Sequence, residues 1–162
     1  MKALLMYNKG INEKGERKVR YEYKNILVAI DGSEASETAF NKALDIVKRN
    51  DAHLIIAHVV DFRSFAYAES FDGTISNQAE DYAKDLIDSY VESAKEVGIT
   101  NISRCIEYGS PRVKIAKDIA ETFKVDLIIC GATGMNAVER FLIGSVSESI
   151  TRHASCDVLV VR

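Results

Sequence analysis

The chain has 162 residues, 28% of them charged and 47% hydrophobic, with a formal net charge of −3, the balance of a single soluble globular domain long enough to bury a substantial core. A nucleic-acid surface is not expected, because the only dense basic stretch is Lys14 to Arg20, which reads as a solvated tail. No apolar run is long enough to span a bilayer, the first six residues are too short for a signal segment, and Cys105, Cys130 and Cys156 lack any C-x-x-C spacing, so a reduced, cytoplasmic protein without disulfide framework or zinc site is expected.

Residues 1 to 23 mix a short apolar start with Asn8-Lys9-Gly10 and a charged run, and three readings stand for them: a disordered extension, an extra edge strand, or a misassigned start. From Asn25 onward strand-like and helical patterns alternate, the signature of βαβ units on a parallel sheet. Strands are expected at Ile26 to Ile30, His53 to Val60, Ile102 to Tyr108, Val125 to Cys130 and Val158 to Val161. The runs Leu54-Ile55-Ile56-Ala57 and Leu127-Ile128-Ile129 lack period-2 alternation, so helices should cover both faces.

The first helix carries Phe40, Ala43, Leu44 and Val47 on one stripe, with Ser33 as N-cap and Glu34 and Glu37 in its first turn. The connection from Asp61 to Asn77 is long and carries Phe62, Phe65, Tyr67 and Phe71, aromatics suited to closing over a ligand or packing on a partner. A second helix presents Ala79, Tyr82, Ala83, Leu86, Ile87, Tyr90, Val91 and Ala94, ended by Gly98. Ser110-Pro111 opens a third, whose Ala116, Ile119, Ala120 and Phe123 face the sheet. Plain core packing accounts for all these stripes.

Behind the fourth strand runs Cys130-Gly131-Ala132-Thr133-Gly134-Met135, and later Gly144-Ser145-Val146-Ser147, giving G-x2-G-x9-G-S. This is a phosphate cradle: glycines let backbone N–H groups approach an anion and can adopt positive φ, and a Gly-Ser step opening a helix at Ser145 adds free amides, the positive helix end and a hydroxyl. The lysine of G-x-x-x-x-G-K-[ST] is missing and G-x-G-x-x-G does not occur.

On this block, with Asn25-Ile26-Leu27-Val28-Ala29-Ile30-Asp31-Gly32-Ser33 and the terminal Asp157-Val158-Leu159-Val160-Val161, the sequence resembles the nucleotide-binding branch of the universal stress protein family over residues 24 to 162. The resemblance implies an open, doubly wound, Rossmann-like five-stranded parallel sheet of order 3-2-1-4-5, with ATP as ligand and Mg2+ or Mn2+ on its phosphates. Gly131, Ala132, Thr133, Gly134, Met135, Gly144, Ser145, Val146 and Ser147 would line the phosphates. Asp31 would stand beside them at the switch point, to bind a ribose hydroxyl or help hold the cation, or else only to cap the first helix.

Val59 matches a position offering backbone contacts to adenine, with Ala29 and Ile30 lining the same slot, while His58 reads as a packed strand histidine. Thr133 and Met135 stand where the family often carries basic residues, and Arg140 in the spacer could compensate or be a solvated loop residue. No constellation poised to activate a nucleophile is evident, which points to a nucleotide-dependent stress-response or signalling module with at most slow ATP hydrolysis. The alternatives are a dimeric scaffold that binds no nucleotide, and a weak ATPase. Family members commonly dimerise through the last strand, so residues 157–162 are expected to pair with a second copy, unless residues 1 to 23 shield that edge.

Overall fold

The computed structural model describes residues 8–11, 17–20, 22–61, 73–134 and 143–162. β1 (Asn8–Ile11) and β2 (Arg17–Arg20) pair antiparallel as a separate two-stranded sheet, so they are not the added edge strand that was one reading of this segment. The main sheet contains β3 (Asn25–Ala29), β4 (His53–Val60), β5 (Ile102–Tyr108), β6 (Leu127–Gly131) and β7 (Asp157–Val161) in the order β5-β4-β3-β6-β7. Every neighbouring pair is parallel. Counted within this sheet, the order is the expected 3-2-1-4-5.

Two strands have the expected bounds. β6 starts later than expected because Val125 still closes the preceding helix through its N–H to Ala120 O at 2.9 Å. β3 stops at Ala29, although the Ile30 N–H still reaches Ala57 O at 2.9 Å.

The central strands are covered on both faces, and the alternation of side chains along each strand assigns the two cores. On one face Ile26, Val28, Leu54 and Ile56 pack against Phe40, Ala43 and Val47 of α1 (Glu34–Asn50) and Ile87 and Val91 of α2 (Gly73–Glu96). On the other, Leu27, Ile55, Ala57 and Ile128 meet Ile115, Ile119 and Ile150. Each fully buried aliphatic side chain stabilises the fold by about 1.5–3 kcal/mol.

The helices begin and end for local reasons. Ser33 Oγ accepts the Ser36 N–H at 3.2 Å and caps α1. Gly98, at φ 86°, turns the chain out of α2 as Ile99 N–H bonds Ala94 O at 3.0 Å. Pro111 occupies the first position of α3 (Pro111–Lys114), but the Ser110 side chain makes no capping bond, contrary to expectation. A π-helical segment, Ile115–Ile119, joins α3 to α4 (Ala120–Thr122), and α5 (Ser145–His153) precedes β7.

Candidate functional site

β3 feeds α1 on one face of the sheet and β6 feeds α5 on the other, so the chain diverges where these neighbouring strands end. A crevice at such a point is where open α/β sheets bind ligands. Its floor is tied down by Ala132, whose N–H donates to Val161 O at 2.7 Å and whose carbonyl accepts from Gly144 N–H at 2.7 Å and Ser147 Oγ at 2.9 Å. The chain that leaves at Ala132 therefore returns to the same residue at Gly144.

The three glycines of the cradle serve by lacking a side chain, not by adopting positive φ, which among the described glycines is confined to Gly32, Gly98 and Gly109. A Cβ on Gly131 would lie 2.7 Å from the backbone carbon of Ala35, so this glycine lets the start of α1 press on β6. One on Gly144 would lie 3.2 Å from Ala132 O. One on Gly134 would lie 2.8 Å from Asp31 Oδ2, which brings the first-strand carboxylate and the cradle together.

Gly144 is the N-cap of α5 at φ −69°, ψ 155°, and offers no side chain to the helix start. The first intrahelical bond runs from Glu148 N–H to Gly144 O at 2.9 Å, leaving the N–H groups of Ser145, Val146 and Ser147 without an intrahelical acceptor. Ser147 is buried, and its hydroxyl is engaged by Ala132 O and Gly144 O, both at 2.9 Å, so its side chain fastens the loop. Val146 is half-buried against the second core.

Asp31 fills the capping role, one of the two that stood as alternatives. Its Oδ1 accepts the Ser33 N–H at 3.0 Å and the Ser33 hydroxyl at 2.5 Å, fixing the turn into α1, while Oδ2 faces Gly134. Ala29 and Val59 lie on the α5 side of the sheet, as a shared slot requires. Ile30 does not join them: its side chain is buried in the opposite core, because successive strand residues point to opposite faces. Its carbonyl accepts from His58 Nδ1 at 2.8 Å, so His58 is a packed strand residue with the proton on Nδ1. The His58 ring also packs edge-on at 6.3 Å from Tyr82.

Met135, Arg140 and the aromatics Phe62, Phe65, Tyr67 and Phe71 lie outside the described residues. Sequence reasoning missed Arg112, whose Nη2 donates to Ser145 Oγ at 2.8 Å across 33 residues of chain. No local pattern announces it. Cys130, directly before Gly131, is not a poised nucleophile, since burial pushes its thiol up to about 11. Among the described residues no group of three or more His, Cys, Asp or Glu could hold a metal ion. Among the same residues no helix is long and apolar enough to cross a membrane.

The defining pattern of the Universal stress protein family matches residues 22–162. A Staphylococcus haemolyticus protein assigned to the universal stress proteins is 50% identical over 140 residues, covering 86% of this chain and 85% of that one. Universal stress protein UspA from Lactobacillus plantarum superposes with a TM-score of 0.73 at 30% identity, over 88% of this chain and 100% of its own. A universal stress protein solved in complex with cAMP superposes with a TM-score of 0.65 at 28% identity, over 87% of this chain and 98% of its own.

Proposed function

The chain belongs to the universal stress protein family, and we propose on that footing that it binds an adenine nucleotide, ATP with Mg2+ or Mn2+ on its phosphates, as a stress-response or signalling module of the cytoplasm. The observation that carries this reading is the uncapped start of α5, three N–H groups at a positive helix end, packed by Gly144 against the loop that brings Gly134 to Asp31. The relative in complex with cAMP supports an adenine ligand. In this reading Gly131, Ala132, Thr133 and Gly134 form one wall of the phosphate site and Gly144, Ser145, Val146 and Ser147 the other. Asp31 meets a ribose hydroxyl or the cation, and Ala29 and Val59 border the adenine. The nucleotide acts by stabilising one conformation or assembly, and no residue is assigned to catalysis.

Thermal melting with and without ATP and Mg2+ tests the proposal, because a ligand at a hundred times its Kd adds about 2.7 kcal/mol of stability. Mass spectrometry of the freshly isolated protein should find co-purifying adenine nucleotide. An unchanged melting curve at millimolar ATP would favour the dimeric scaffold that binds no nucleotide.

The same reading includes a homodimer through 157–162. Among the described residues β7 pairs with β6 alone, which leaves its outer edge open, and Val158, Leu159, Val160 and Val161 are only half-buried. A second copy about a two-fold axis would pair both edges at once.

A further inference from the structure

We propose that Arg112 reads the phosphate chain of the nucleotide, so that the site prefers nucleoside di- and triphosphates to monophosphates; this rests on the nucleotide reading above. Arg112 is exposed, in the first turn of α3, and two bonds seat it at the start of α5. The Ser149 hydroxyl donates to Arg112 O at 3.0 Å, and Arg112 Nη2 donates to Ser145 Oγ at 2.8 Å. Its guanidinium is therefore one hydroxyl away from the open amides.

Two cations on the same helical segments are already paired. Lys114 pairs with Asp118 at 2.9 Å and Glu107 at 3.3 Å, and Arg152 with Glu148 at 2.9 Å. Among the described residues no carboxylate pairs with Arg112. A positive charge beside a helix N-terminus is electrostatically unfavourable until an anion arrives, and one phosphate chain would satisfy both. The amides of α5 hold one phosphate group. The guanidinium, offset by the Ser145 side chain and with further N–H donors free, meets the next one. It supplies charge that Thr133 and Met135 do not.

The test is the ratio of Kd for AMP to Kd for ATP, measured by calorimetry at one ionic strength for the wild type and for Arg112→Gln. Loss of a charge-assisted contact made only by the longer phosphate chain should lower that ratio about tenfold, with AMP affinity little changed. Because both ligands are compared on one variant, a general loosening of the protein cancels. An unchanged ratio, whether neither affinity moves or both fall together, overturns the role of Arg112 and leaves nucleotide binding intact. A wild type that binds neither ligand overturns the nucleotide reading itself, and this inference with it.

Discussion

The Asp31 carboxylate and the Cα of Gly134 meet across the end of the sheet, so closely that a Cβ on the glycine would stand 2.8 Å from Asp31 Oδ2. The carboxylate has little freedom to retreat, because its other oxygen accepts two bonds from Ser33. Gly134→Val should therefore push Asp31 aside and fill the crevice. Since Gly134 is exposed, the stability loss should stay near 1 kcal/mol. Calorimetry with Mg2+ present should show ATP affinity reduced at least tenfold, and wild-type affinity in the variant would exclude this wall from the site.

Asp31→Ala tests whether the residue has a duty beyond the turn into α1. Losing the turn-fixing bonds to Ser33 costs about 1 kcal/mol, in the range of a helix cap, and shows as a lower melting temperature. Nucleotide affinity, measured on the still-folded protein with Mg2+, should fall further than stability does. Equal affinity would leave Asp31 with the turn alone.

Gly131→Ala should behave differently from Gly134→Val. The added Cβ would meet Ala35 backbone atoms at 2.7 and 2.8 Å, and backbone cannot rotate out of the way. Overpacking of this kind costs about 1–3 kcal/mol, so the melting temperature should drop with or without nucleotide. A melting temperature equal to that of the wild type would mean that α1 is not pressed against β6 at this point.

Val160→Lys tests the proposed assembly. A charged side chain in the middle of β7 should block edge pairing with a second copy and yield monomer by light scattering. A monomeric wild type, or a dimer unaffected by the lysine, would rule this interface out.

At the opposite end of the sheet, burial raises the Asp126 pKa above 3.8, opposed by the Lys24 and Asn25 N–H groups that its carboxylate accepts, and the nearby Asp157 charge raises it further. The folded state thus holds this proton more tightly than the unfolded state. As pH falls from neutral through the raised folded value toward 3.8, this group adds stability, against the general trend of acid unfolding. Asp126→Asn should lack that increment. The stability difference, wild type minus variant, should grow as pH falls, and denaturant titrations giving a pH-independent difference would contradict the shift.

What the sequence by itself determined is what local chemistry controls. Continuous apolar runs specified strands buried on both faces, Ser33, Pro111 and Gly98 marked helix ends, and the Gly131, Gly134 and Gly144 spacing located the loop at the end of β6. The tertiary structure alone decided what depends on distances between residues remote along the chain. Which face each strand residue occupies follows from one register, and that placed Ala29 and Val59 together while turning Ile30 into the other core. Whether a glycine makes room for a carboxylate, as Gly134 does for Asp31, or for a helix, as Gly131 does beneath Ala35, depends on what lies opposite it. Arg112 reaches Ser145 only because α3 and α5 pack on the same side of the sheet, a side-by-side arrangement that no pattern within either helix encodes.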